Sequence, residues 1–168
     1  MKGSRSRYVV DANIFIDFHR GRLLEALFAL PFIFLAPDVI VAELDVPEGQ
    51  RLLDYGLRSV SLSGVEVAAV AALAQRHRAP SINDLFALIL ARIEKATLLT
   101  GDGAVRRLAE SEGIAVHGTL WLLDELVRRG IVTPKQAARG LGQMIASGSR
   151  LPERECQQRM EQIGRAHV

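Results

Sequence analysis

The stretch Tyr8-Val9-Val10-Asp11-Ala12-Asn13 passes from three apolar, β-prone residues directly to a carboxylate and an amide. An apolar run this short suits a buried strand, and the polar pair after it marks where the strand stops. Thr97-Leu98-Leu99-Thr100-Gly101-Asp102 repeats the arrangement, and Phe32 to Ala36 forms a third such run that ends at Pro37-Asp38. Open parallel sheets bind ligands outside the carboxyl ends of their strands. Acids that directly follow apolar runs are therefore the residues to follow.

Between these runs the spacing predicts helices. Ile14 to Leu30 has helical periodicity in two pieces, broken near Arg20-Gly21-Arg22, and Pro37 suits the first turn of a helix carrying Val39, Ile40, Val41 and Glu43. Leu52 to Leu57, Val65 to His77, Ser81 to Lys95 and Val105 to Ser111 follow as further helices. Ser59 to Leu62 and Ile114 to Val116 are expected as additional short strands. Alternating strands and helices imply right-handed crossovers, so the expected fold is a three-layer α/β/α sandwich around a mainly parallel sheet. Only helical patterns come after it: Thr119 to Arg129, Pro134 to Ala146 and Pro152 to Ile163. The expected organisation is an α/β domain over residues 1–125 and a helical extension over residues 126–168, packed on or beside it. The apolar positions Leu120, Leu123, Leu126 and Val127 are expected to pack in a core.

Composition narrows the function classes. A chain of 168 residues, 49% hydrophobic and 24% charged, has room for one core and lacks the charge-rich, apolar-poor signature of disorder. Its longest apolar stretch, Leu27 to Val41, is interrupted by Pro31, Pro37 and Asp38, whereas a membrane span needs ~20 nearly unbroken apolar residues. No span is expected. The basic start, Met1-Lys2-Gly3-Ser4-Arg5-Ser6-Arg7, leads into Asp11 and Asn13 without a small-residue cleavage site, so a cytoplasmic location is expected. The lone Cys156 excludes an internal disulfide and a thiolate zinc cage. The four histidines have no ligand spacing, and Gly101-Asp102-Gly103 lacks the third glycine of a dinucleotide fingerprint. No serine sits in a Gly-x-Ser-x-Gly setting. Net charge is only +2, yet beyond residue 125 there are eight lysines and arginines against three glutamates. That basic tail suits either phosphate contact or solvated helix faces.

Four acids form the candidate site. Asp11 and Asp102 follow strands that end at the same sheet edge. Glu43 rides on the helix after Pro37, and Asp84 lies in the first turn of an apolar helix, where the helix dipole favours an anion. Each has an ordinary reading as well. Asp11 can cap a helix, Asp102 can shape a turn, Ser81 with Asp84 has the form of a capping box, and Glu43 can face solvent. Several carboxylates brought together raise one another's pKa unless a cation lies between them. Mg2+ or Mn2+, which prefer hard oxygen ligands, are the natural counter-charge.

Four motifs in order, Val10-Asp11-Ala12-Asn13, Pro37 followed at the sixth position by Glu43, Asn83-Asp84-Leu85-Phe86, and Leu99-Thr100-Gly101-Asp102, resemble those of the PIN-domain family over roughly residues 7 to 120. The resemblance implies a metal site made by Asp11, Glu43, Asp84 and Asp102, supported by Asn13 and Thr100. It also implies endonucleolytic cleavage of single-stranded RNA by metal-activated water. The chain is similar to VapC-type toxins of toxin–antitoxin pairs, which implies a homodimer silenced by a small antitoxin. The long tail beginning at Gly118-Thr119-Leu120-Trp121 departs from the short toxins and resembles an extended group of PIN-like proteins. Two other readings compete with the nuclease. A catalytically quiet PIN-like module would bind RNA or protein without turnover. An aspartate-dependent phosphatase wants a second Asp two residues after the first, where this chain has Asn13.

Overall fold

The computed structural model describes residues 5–166. The basic start at Met1 to Ser4 and His167 lie outside the described residues. Five strands, β1 (Arg7–Val10), β2 (Ile33–Pro37), β3 (Arg58–Val60), β4 (Thr97–Leu99) and β5 (Val116–His117), form one parallel sheet in the order β3-β2-β1-β4-β5. The chain therefore starts in the middle, builds outward to β3, and returns to the other side of β1 as β4. The reversal creates a crevice between the carboxyl ends of β1 and β4, the position where such sheets bind ligands.

The inner strands β1, β2 and β4 bury residues on both faces, and their alternation still sorts the two cores. Val10, Phe34, Ala36 and Leu99 face one side, together with α1 (Ala12–Arg20), α2 (Leu24–Ala29) and α4 (Gly49–Tyr55). Val9, Leu35 and Leu98 face the other, against Ile40 of α3 (Asp38–Glu43) and against α5 (Gly64–Arg76), α6 (Ile82–Glu94) and α7 (Gly103–Ser111). The result is the expected α/β/α sandwich. Its boundaries differ from expectation in several places, β3 (expected over Ser59 to Leu62) and α4 (expected over Leu52 to Leu57) among them. Phe32 precedes β2 and joins an aromatic cluster with Tyr8 and Trp121. Pro37 closes β2, paired in register with Val60, and serves as the N-cap of α3. The last strand is shifted to Val116–His117, because Ile114 is buried against α7 and its N–H bonds to the carbonyl of Ala109.

The helices α8 (Thr119–Arg128), α9 (Pro134–Ala146) and α10 (Glu153–Ala166) complete the first core. Leu120, Leu122, Leu123 and Leu126 of α8, Ala137, Leu141 and Met144 of α9, and Cys156 of α10 are all buried there with Ile14, Phe15 and Phe18 of α1. Thr133 and Gln136 form a capping box with Pro134 at the first position, which fixes where α9 begins. The approach of α9 to the end of α1 relies on two glycines. A Cβ on Gly140 would lie 3.1 Å from the carbonyl oxygen of Gly21 and would collide with Cδ1 of Leu23. One on Gly21 would lie 2.9 Å from the Gly140 carbonyl oxygen. This close packing carries the segment after α9, Ser147 to Arg150, to the side of α1, where Arg20 Nη1 donates to Ser149 Oγ at 3.2 Å. No helix among the described residues is long and apolar enough to cross a membrane.

Candidate active site

Asp11 leaves β1 as the N-cap of α1, its Oδ1 accepting from the N–H of Ala12 at 2.8 Å. Its backbone N–H bonds to the carbonyl of Leu99 at 2.9 Å, which holds the strand end against β4 across the crevice. The other carboxylate oxygen accepts from the hydroxyl of Thr100 at 3.0 Å. The same hydroxyl accepts the N–H of Asp102 at 3.2 Å. Thr100 is fully buried, and Asp11 nearly so at 2% exposure. The Thr100 hydroxyl thus links the ends of β1 and β4.

Asp84 arrives from the opposite layer. The capping box at the start of α6 sets its backbone, with Ser81 N–H donating to Asp84 Oδ2 at 2.8 Å and Asp84 N–H donating to Ser81 Oγ at 3.1 Å. Burial, and after it the charge of Asp84, push the Asp11 carboxyl up to about 7; the two carboxyl groups are in contact, which raises it further. The bonds from Thr100 and Ala12 oppose the rise without cancelling it. Two acids placed this way hold one proton between them at neutral pH or need a cation.

Glu43 is exposed at the last residue of α3 and accepts a hydrogen bond from Asn83 Nδ2, the neighbour of Asp84. Asp102 is half-buried as the N-cap of α7, its Oδ1 accepting from Val105 N–H at 3.0 Å. Asn13 is exposed and lines the same cleft as Asp102. The ordinary readings of Asp11 as a helix cap and of Asp84 as part of a capping box are therefore correct, whereas Asp102 caps α7 rather than shaping a turn, and all three roles coexist with the placement of these acids at one sheet edge. Capping occupies one oxygen of each, fixing the side chain while leaving acceptor capacity on the carboxylate.

The four acids do not form a closed cluster. Asp11 and Asp84 touch, Asp102 is joined to them through Thr100, and Glu43 through Asn83. Among the described residues no three acids, histidines or cysteines stand close enough to form a ready ligand group. The caps at the starts of α1, α6 and α7 hold three of the four apart. The donor set is nonetheless wholly hard oxygen, and the Asp11 carboxyl, raised first by burial and then by the charge of Asp84, is one that a divalent cation would favour in its ionised form. These residues fit Mg2+ or Mn2+ and do not fit a soft thiophilic ion.

A further acid, Asp17, is not among the residues the sequence singles out. It is buried in α1, accepts from the hydroxyl of Thr119 at 2.8 Å, and lies beside Ser149 and Arg20. Burial raises its carboxyl above the usual range, while the bonds from Ser149 and Thr119 and the charge of Arg20 pull it back. The available signal was a lone carboxylate inside Ile14-Phe15-Ile16-Asp17-Phe18. Its partners come from far along the chain and gave none. With Asn13, Arg20, Asp102 and Arg150, it lines a cleft of about 530 Å³ that opens at the crevice.

No curated protein sequence matches this chain. Among solved structures, it is similar to a PilT N-terminus domain protein from the hyperthermophilic archaeon Sulfolobus solfataricus. That likeness has 16% identity and a TM-score of 0.48, and it covers 72% of this chain and 93% of that one. A family model described as PIN domain matches residues 7–165, the tail helices included. By that match the chain belongs to the PIN-domain family.

Proposed function

We propose that this chain is a Mg2+- or Mn2+-dependent endoribonuclease in which Asp11, Glu43, Asp84 and Asp102 hold the cation and Asn13 and Thr100 support them. The observation that carries the reading is the contact between the Asp11 and Asp84 carboxyls at the mouth of the β1–β4 crevice. A buried carboxyl beside the half-buried Asp84 at a ligand-binding edge costs stability, and such a cost is typical of sites arranged for chemistry.

When bound, a divalent ion would neutralise these carboxylates, bind phosphate oxygens and acidify a water for attack on phosphorus. The protein's share is positioning. Thr100 fixes the rotamer of Asp11 and the backbone of Asp102 with one hydroxyl, so the two strand ends move as a unit. Asn83 holds Glu43 near the start of α6, where Asp84 is already locked by its cap. To hold a cation Asp11 would have to be ionised, which its carboxyl, raised to about 7, would allow near neutral pH.

The four PIN-like motifs further support a role as the toxin of a toxin–antitoxin pair, acting in the cytoplasm as a homodimer silenced by a small protein. The deciding experiment incubates the protein with single-stranded RNA in Mg2+ or Mn2+, in chelator, and as Asp84→Asn. Internal cleavage with metal that disappears in the other two arms is the expected result. RNA binding without turnover in every arm would instead identify a catalytically quiet module. Expression of wild type and Asp84→Asn in a bacterial host tests the toxin role, because growth arrest must vanish with the nuclease.

A further inference from the structure

A second cleft adjoins the one that contains Asp102. Gly101 and Arg150 line both, so one groove leads from the carboxylates past Arg150 into a space of about 300 Å³. One wall of that space is His117 and Trp121, whose rings stack with centroids 4.1 Å apart and planes within 5°. The segment from Arg150 to Pro152, which follows the packing of α9 on α1, also lines it.

The charge of the space is positive. Three arginines, Arg106, Arg150 and Arg159, line it against one acid, Glu155. Arg159 is committed to Asp124, its Nε donating to Oδ1 at 3.0 Å. Arg106 and Arg150 are exposed and, among the described residues, have no carboxylate partner. Gly118 leaves room for the Arg106 guanidinium to lie across the end of β4. A Cβ there would meet Arg106 Nη2 at 3.3 Å and the Thr100 carbonyl oxygen at 3.4 Å. Burial and the charge of Arg106 lower the His117 pKa, so the ring that faces the space is uncharged at neutral pH.

Flat aromatic rings beside unpaired guanidinium groups, in a groove continuous with a carboxylate site, match one ligand chemistry: a nucleotide with its base unstacked from its neighbours. We propose that this cleft seats the nucleotide adjacent to the scissile phosphate of a single-stranded substrate, its base against the His117–Trp121 pair and its phosphate between Arg106 and Arg150. Cleavage of the neighbouring phosphate rests on the nuclease reading under Proposed function; nucleotide binding by the cleft does not.

Trp121 is the only tryptophan in the chain and lines this cleft, so the tryptophan emission comes from a residue of its wall. The test titrates the full-length protein, in Ca2+ and in chelator, with an oligouridylate about eight nucleotides long, a length within the site size of single-strand binders. Matching DNA forms a second arm. Affinity is followed in parallel by anisotropy of a labelled strand. Saturable quenching of Trp121 by either strand is expected. Arg106→Ala and Arg150→Ala, both surface changes that leave the core intact, are each expected to lower the slope of log affinity against log salt by about 0.7. His117→Ala is expected to weaken binding about tenfold through lost stacking. Strand binding with silent Trp121 emission, or no binding by either strand, overturns the proposal. So do arginine variants that bind with the wild-type salt slope. If quenching and the slope changes persist in a protein that cleaves nothing in Mn2+, the cleft stands and the nuclease reading falls. Normal cleavage kinetics in all three variants, with silent emission, would do the opposite, leaving the nuclease and removing the cleft.

Discussion

The hydroxyl of Thr100 donates to Asp11 at 3.0 Å, and the two residues, 89 positions apart, are both buried at the mouth of the crevice. Because the same hydroxyl also accepts from Asp102 N–H, it is the one side chain that joins both strand-end acids. Thr100→Val keeps the shape and removes both bonds. It should destabilise the protein by about 1–3 kcal/mol by leaving buried polar groups unpaired. Metal affinity should fall by roughly 10–100-fold, as with other residues that orient ligands. Thr100→Ser should recover most of both. Thermal unfolding and Mn2+ titration of the two variants check this; a Val variant equal to wild type in both would remove Thr100 from the site.

Asp11→Asn separates function from stability. It should abolish metal-dependent cleavage, and it should raise the unfolding midpoint in chelator. The amide carries no charge to bury and does not repel Asp84, the two causes that lift the Asp11 carboxyl to about 7. A gain of ~2 kcal/mol corresponds to roughly 5 °C for a chain of this size. A large drop in midpoint would show that Asp11 is held by favourable bonds rather than against its own charge.

Stability without metal should fall as pH rises from about 4 toward 7. An unfolded chain releases its aspartate protons near ~4. The folded protein keeps the Asp11 proton up to about 7, and burial holds the Asp17 carboxyl above its usual range. The folded state thus binds more protons across this window, and stability drops with pH by up to ~1.4 kcal/mol per unit for each such group. Arg20, Ser149 and Thr119 face Asp17 and limit its share. Urea unfolding at stepped pH should show the decline, with Asp11→Asn flattening its upper part. A metal-free protein that gained stability from pH 4 to 7 would mean that Asp11 and Asp17 do not hold their protons in the folded state.

Two glycines of α9 should respond with opposite signs. Gly140→Ala forces a Cβ to within 3.1 Å of the Gly21 carbonyl and against Leu23, so overpacking of about 1–3 kcal/mol should outweigh the helix-propensity gain. Gly142→Ala meets nothing within 4 Å and should stabilise by about 0.5–1 kcal/mol. Paired melts test this directly. Equal effects would mean that α9 does not approach α1 as described.

Leu126→Ala tests whether the tail helices are part of the core. Leu126 is fully buried among residues of α1, α2 and α9, and its truncation should cost about 2–5 kcal/mol. A loss below about 1 kcal/mol would indicate that α8 and α9 fold as a loosely attached unit.

The features legible in the sequence were those written at short range. Apolar runs ending in Asp11 and Thr100-Gly101-Asp102 gave the strands, the alternation of elements gave the parallel sandwich, and Ser81 with Asp84 gave a capping box the structure contains. These depend on propensity and periodicity within a few residues of each other. What only the tertiary structure decided was who meets whom. The strand order that sets Asp11 beside Thr100, the contact of Asp11 with Asp84, and the pairing of Asp17 with Thr119 across 102 positions all arise from packing. The same holds for the tail: its arginines showed as charge along the sequence, but Arg150 stands at Gly101 because Gly21 and Gly140 let two helices touch. Local chemistry selected the elements, and long-range burial of their apolar faces, which no short window of sequence records, assembled the site.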